Sequence, residues 1–241
     1  MNAPSILFFD IGGTVFDWET AIIEALADSG LVAAPDRRQF AWDCRASFLA
    51  DSSAVRRGLL PWKEADELFS DVVDGQLQRR GMTGGSAAID RVRRSWSSMP
   101  AWPEAVAAIA ALREAYLVVP LSLLSWSMAI GSSRRNGISW DGLLTCDVMG
   151  FYKPDPRCFE KALGLFKAQP NEVIMVASHP SDLHAARDYG FRTAYVEPRL
   201  RDPGEDYAKC RPDEDFDHSF DGFPTLVSAL IGQVMTKSNP R

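Results

Sequence analysis

The sequence predicts an α/β protein in which a block of helices is inserted into a parallel sheet, and three observations predict it. The chain opens on a short unbroken apolar run, ILFF at 6–9, of the kind that a strand buried on both faces requires. Residues 38–96 then carry helical patterns and no convincing strand. From Pro103 onward apolar runs alternate with helical segments, the order that builds a parallel sheet covered by helices.

The elements follow in order. After the first strand, WETAIIEALADSG places Ile22, Ile23 and Leu26 at helical spacing, with Gly30 positioned to end the helix. Pro103 is a good first residue for the alanine-rich helix PEAVAAIAALREA. YLVVPLSLLS reads as a strand ending at Ser122, and a helix is expected from Trp126 to Asn136, stopped by Gly137. LLTCDVMG reads as a weaker strand, and FYKPDP as a turn, because Pro154 and Pro156 both oppose regular structure. PRCFEKALGLF reads as a helix, EVIMVAS as a buried strand, SDLHAARDYG as a helix with a glycine end, and FRTAYVEP as another strand. The Pro-, Asp- and Arg-rich stretch 198–217 reads as a surface loop, and FPTLVSALIGQVM as a closing helix with a frayed tail. No internal repeat or low-complexity tract is evident.

Composition narrows the function classes. The chain has 241 residues, 46% hydrophobic and 24% charged, which is ordinary for a soluble globule. A net charge of -6 argues against nucleic acid or an anionic membrane as a partner. The arginines at Arg56-Arg57, Arg79-Arg80, Arg91 and Arg93-Arg94 are expected on solvated helix faces. Cys44, Cys146, Cys158 and Cys210 show neither a CxxC pair nor metal-ligand spacing, so reduced thiols in a cytoplasm are expected. No run approaches the roughly 18 apolar residues of a membrane span, and MNAPSILFF lacks the basic start of a signal peptide.

Residues 6–18, ILFFDIGGTVFDW, end an apolar strand on an acid followed at once by glycines. In open α/β sheets ligands bind just beyond the carboxyl ends of the strands, although Asp, Gly and Thr also make ordinary turns. The other strand ends sharpen the reading. They carry Ser122 and the segment Ser178-His179-Pro180-Ser181-Asp182, with Lys153 in the turn between. A parallel sheet brings all of these to one edge.

That order, D-x-x-G-T, a strand ending in Ser, Lys-Pro-Asp-Pro, then a strand ending in an Asp-bearing loop, resembles the haloacid dehalogenase superfamily of aspartate-nucleophile hydrolases. DIGGTVFDW, CRASF with RRGLLPW, MPAWPEAV, ISWD, FYKPDPRCF and VIMVASHPSDLHAARDYGFRTAYV resemble its type II 2-haloacid dehalogenase branch. The resemblance implies a Rossmann-like core over 1–16 and 98–241, with a helical cap over 17–97. It implies a homodimer, a small anionic substrate and no cofactor.

The resemblance also assigns roles. Asp10 is the nucleophile, attacking C2 of a 2-haloacid to expel halide and form an ester that water hydrolyses. Thr14 orients it, Lys153 brings positive charge to it, and Asp182 pairs with Lys153 and helps position or deprotonate the water. His179 orients that water. Arg45, whose permanent charge suits an anion site, cradles the halide. Ser122 and the backbone beside it, at Leu123, hold the substrate carboxylate, and Ile11 and Gly12 border the substrate. The pattern departs at Gly12, where the branch usually has a bulky aromatic and the phosphatases of the superfamily have an acid; Trp18 or a cap aromatic is expected to fill the gap. A larger substrate and an altered activity are the other readings of that glycine. The pattern departs again at Leu123, usually Asn, and at Ala177, a hydroxyl residue in some relatives. Two alternatives remain open: a phosphatase using Mg²⁺ held by Asp10 and Asp182, and a scaffold that has lost catalysis.

Overall fold

The strand ILFF is dry on both sides because helices cover both faces of the sheet it centres. The computed structural model describes residues 4–237, with side chains to residue 232; the expected frayed tail lies outside these residues. Strands β1 (Ile6–Phe9), β2 (Leu117–Pro120), β3 (Val173–Ala177), β4 (Arg192–Val196) and β5 (His218–Phe220) form one parallel sheet in the order β2-β1-β3-β4-β5. Alternate residues of β1 feed different cores: Leu7 and Phe9 join Val118, Ile174 and Val176 on one face, while Ile6 and Phe8 join Val119, Val173 and Met175 on the other. The strand order reverses beside β1, because the chain leaves it for β2 on one side and later returns to β3 on the other. Such a switch point opens a crevice at the carboxyl ends of the strands.

Between β1 and β2 lie helices α1 (Trp18–Ser29), α2 (Arg37–Arg56), α3 (Ala65–Arg79) and α4 (Ser86–Arg93), then a 3₁₀ turn at Ser95–Ser98 and the crossover helix α5 (Pro103–Arg113). Asp17 caps α1 by accepting from the Thr20 N–H at 3.0 Å, and Gly30 closes it in the left-handed region. The insertion has its own aromatic centre. Phe69 stacks on Trp96 with centroids 3.9 Å apart, and Phe48 meets Trp96 edge-on at 4.9 Å.

After β2 come α6 (Trp126–Asn136), α7 (Cys146–Met149), α8 (Pro156–Phe166) and α9 (Pro180–Tyr189), the last two flanking β3; α10 (Pro212–Asp215) precedes β5, and α11 (Phe223–Lys237) follows it. Proline at the first position starts α5, α8 and α9, and Ser125 caps α6 at Met128 N–H. Among the described residues no helix is long and apolar enough to cross a membrane, and the four cysteines are free thiols.

Two expectations need correction, and one strand is new. LLTCDVMG is no strand: Leu144 makes a single bridge to Leu121, and the chain then enters α7. Asp147 turns it, accepting from Val148 N–H at 3.0 Å and Trp126 N–H at 2.9 Å. The stretch 198–217 is not wholly a surface loop, for it includes α10 and the buried Asp202. Strand β5 was not anticipated. Its three residues are only partly buried, so HSF carries no apolar run to read.

Helix α6 staples the return from the insertion to the core. Ser132 Oγ donates to Trp96 O and accepts from Met99 N–H, both at 3.0 Å, and Asn136 bonds Ala101 N–H and Met99 O at 2.8 Å. The approach is close enough that a β-carbon on Gly131 would lie 2.0 Å from Ser97 O. Glycine in a helix ordinarily costs roughly 0.5–1 kcal/mol relative to alanine. Gly131→Ala should nevertheless destabilise by about 1–3 kcal/mol through overpacking. Gly164 of α8, with nothing within 4 Å of its added β-carbon, should gain stability from the same change. Urea unfolding of the two variants checks the opposite signs.

Candidate active site

Asp10 stands one residue beyond β1, and its N–H donates to Val176 O of β3 at 2.9 Å, which pins it at the switch point. The chain then turns tightly, with Ile11 O accepting from Val15 N–H at 3.0 Å and Phe16 N–H at 2.8 Å. Gly13 adopts φ +96°, and a β-carbon there would stand 3.1 Å from the His179 ring. The second glycine thus meets both a backbone and a space requirement. Thr14 Oγ1 donates to Asp10 Oδ2 at 2.7 Å and accepts from Ser178 N–H at 3.0 Å, tying together the loops after β1 and β3.

The charges around Asp10 form one chain of contacts. Lys153 Nζ donates to Asp10 Oδ1 at 3.0 Å and to Asp182 Oδ2 at 2.7 Å. On the other side His179 Nδ1 lies 3.0 Å from Asp10 Oδ2, and its Nε2 lies 3.1 Å from Asp202 Oδ2. Asp202 Oδ2 also accepts from Arg45 Nε at 2.8 Å and from Arg45 Nη2, while its Oδ1 accepts from Trp18 Nε1 at 2.6 Å. Arg45 Nη2 further donates to Gly12 O at 3.2 Å. All six charged groups, Asp10, Arg45, Lys153, His179, Asp182 and Asp202, are buried.

Burial alone would raise the Asp10 carboxyl, but the Lys153 and His179 charges and their hydrogen bonds hold it far below the usual range. Burial would likewise lower His179, yet Asp202 and Asp10 hold it well above its ordinary value. Lys153 is held up by Asp10 and Asp182, and Asp202 is held down by Arg45 and His179, in each case against burial. Asp10 is therefore an ionised carboxylate with cations on two sides. Burial pushes the Cys146 and Cys158 thiols up to about 12, which leaves neither as a competing nucleophile.

The structure brings together Asp10, Thr14, Arg45, Lys153, His179 and Asp182, and Asp10, Gly12, Arg45, Ser122, Leu123, Lys153, His179 and Asp182 line a cavity of about 430 Å³. Several placements differ from expectation. Ile11 is fully buried in the core and absent from the lining. Beside Gly12 it is Leu124, not Trp18, that fills the space, 3.6 Å from an added β-carbon; Trp18 is turned to Asp202 instead. Arg45 does not stand free over Asp10, because Asp202 takes two of its nitrogens. Ser122 N–H is spent on Leu144 O and Leu124 N–H on Ser122 Oγ, while Leu123 N–H between them has no partner among the described residues. Arg56 is not simply solvated: it lines the cavity, and its Nε is buried with no hydrogen-bond partner.

Asp202 is the site residue that reading the sequence missed. It lies in the long connection between β4 and β5, where its Asp-Pro-Gly context reads as a turn. A usable signal was the length of that connection, since long structureless segments inside a compact domain are commonly functional.

Asp10, His179 and Asp182 offer ligand atoms within 4.8 Å of one another. They do not suit a resident divalent ion. Lys153 already bridges the two carboxylates, and three acids face three bases in a cluster that is neutral without a metal.

A family model for haloacid dehalogenase-like hydrolases matches residues 4–190. The chain is 26% identical over 200 residues to (S)-2-haloacid dehalogenase 1 of Pseudomonas sp. (strain CBS-3), covering 82% of this chain and 86% of that one. It is 26% identical over 207 residues to (S)-2-haloacid dehalogenase 4A of Burkholderia cepacia, covering 84% and 87%. Its fold matches the crystal structure of a defluorinating L-2-haloacid dehalogenase with a TM-score of 0.86 at 28% identity, over 95% of each chain. With an ionised aspartate at the switch point, a lysine across it and this likeness along most of its length, the chain belongs to the haloacid dehalogenase-like hydrolases.

Proposed function

We propose that the protein hydrolyses carbon–halogen bonds in small 2-halocarboxylates through an ester on Asp10, with residues 17–97 acting as a cap over a core of 1–16 and 98–241. One observation carries this reading: the nucleophile is ionised and flanked by cations, while Gly12 and Leu124 put no acid where a leaving group would need a proton. Halide departs as a stable anion and needs none; a phosphomonoester leaves far less readily without one. Carboxylate oxygen attacks C2, the C–X electron pair leaves with the halide, and the ester carbonyl then takes water.

The cavity suits such a substrate. Leu49, Leu123 and Leu124 give it apolar wall, and Leu123 N–H and Arg56 offer the carboxylate a donor and a charge. Arg45, clamped by Asp202, keeps its remaining amino group for the halide. The charge-balanced cluster supports a reaction without metal or cofactor. Free thiols suit a cytoplasmic location, and the family resemblance suits a homodimer.

Halide release from chloroacetate and (S)-2-chloropropionate should proceed without added metal, persist in EDTA, and vanish in Asp10→Ala. Arg56→Gln should raise KM roughly tenfold with little change in kcat, since an anchoring charge binds ground and transition states alike. Steady-state halide assays on the variants check both. Stability carries its own signature. Because His179 is raised in the folded state, its stabilising contribution is complete below about 6.5, its ordinary value, and is lost as pH climbs through the folded value. The Tm gap between wild type and His179→Gln should therefore narrow as pH rises from 6.5 toward 9.

A further inference from the structure

In the reaction just described Asp202 does no more than clamp Arg45, yet few polar groups in the molecule are so fully engaged. Its carboxylate accepts from Arg45, Trp18 and His179, and its own N–H points to the Tyr207 hydroxyl at 3.3 Å. Only 4% of the residue is exposed. The three side chains it gathers come from different parts of the chain: the start of α1, the middle of α2 and the loop before α9. Gly13 leaves the room for this, since a β-carbon there would crowd the His179 ring at 3.1 Å and Asp202 Oδ1 at 3.5 Å.

We propose that Asp202 is a positioning residue for ester hydrolysis, holding the proton of His179 on Nε2 so that Nδ1 faces the Asp10 ester as the base for water. The inference rests on the dehalogenase reading and deepens it. In the resting enzyme Nδ1–H meets the Asp10 carboxylate. Alkylation turns that carboxylate into a neutral ester, so the ring keeps one anionic partner, Asp202, and Nδ1 gives its proton to solvent. Water on the cavity side of the ring and the ester then attacks the Asp10 carbonyl carbon while Nδ1 takes its proton. The tetrahedral intermediate collapses, the departing 2-hydroxyacid oxygen takes that proton, and the Asp10 carboxyl formed returns its own proton to Nδ1. One water is consumed, and one proton and one halide are released per turnover.

Asp202 sits on the side of His179 away from Asp10, so it touches neither nucleophile nor substrate carbon. What it controls is the ring's tautomer and orientation, the part an orienting carboxylate plays for a histidine base. The same oxygen holds Arg45, and so the nucleophile's loop, the base and the inserted helix α2 share one anchor.

The test separates the two half-reactions. Asp202→Asn, verified as folded by circular dichroism, is mixed with (S)-2-chloropropionate, and halide is followed beside the intact mass of the protein. The expected result is about one halide per chain released quickly, an ester adduct accumulating on Asp10, and its hydrolysis slowed about 100-fold or more. Hydrolysis no slower than in wild type, or a loss confined to the alkylation step, overturns the proposal, and so does an equal loss in both steps. Should the variant fail to fold, ¹⁵N NMR of the wild-type protein decides. Its three histidines are assigned through His184→Gln and His218→Gln, and His179 is expected to carry a proton on Nε2. A neutral ring protonated on Nδ1 alone overturns the proposal. This second arm needs no turnover, so a protein that releases no halide removes the dehalogenase reading without deciding the Asp202–His179 pairing.

Discussion

The structure around the switch point depends on one constraint: charges taken out of water must each find a partner. An unpaired buried ion costs several kcal/mol, and truncating one member of a buried pair is correspondingly destructive. Asp10 is ionised inside the protein because Lys153 and His179 stand on its two oxygens. Each of those cations also has a second anion, Asp182 for the lysine and Asp202 for the histidine. Esterifying Asp10 removes one negative charge from the centre of the chain and leaves its two ends intact. Such a site can be alkylated without coming apart.

The same contacts join the helical insertion to the sheet. Arg45 reaches from α2 to Asp202, and its guanidinium lies over Trp18 and Trp96, 5.5 Å from each ring. Tyr152, next to Lys153, packs edge-on against Phe48 and donates its hydroxyl hydrogen to Lys63 O of the insertion at 3.0 Å. On the far side α6 clamps the returning segment through Ser132 and Asn136. The insertion is held to the core both by polar contacts at the site and by packing away from it. That arrangement limits water at the nucleophile without sealing the cavity.

Chemistry is selected by what stands at position 12. A carboxylate there would supply a proton to a poor leaving group; Gly12 with Leu124 against it supplies a wall instead. The consequence for shape is that the pocket beside the nucleophile is bounded by an aliphatic side chain from the loop after β2, not by an aromatic from the loop after β1. The cavity wall there is set where Leu123 and Leu124 turn toward α6.

Much of this was legible in the sequence, because it depends on local pattern. The strand ILFF, the helical block after it, the proline and glycine punctuation of α5, α6, α8 and α9, and the residues at the ends of β1 and β3 all follow from period and backbone chemistry. Topology alone then carries Asp10 and Asp182 to one edge, since parallel strands share their carboxyl ends, and the turn between α7 and α8 brings Lys153 to them. Three things only tertiary structure decided. LLTCDVMG turns helical because Asp147 caps backbone groups from two segments. Leu124, not Trp18, fills the space at Gly12, because Trp18 is drawn away to a buried carboxylate. And Asp202, in a stretch whose composition reads as solvent-exposed loop, becomes the counter-ion of an arginine 157 residues before it and a histidine 23 before it. No local pattern encodes that choice: a buried charge takes its partner from whatever the fold brings within 3 Å, and distance along the chain plays no part.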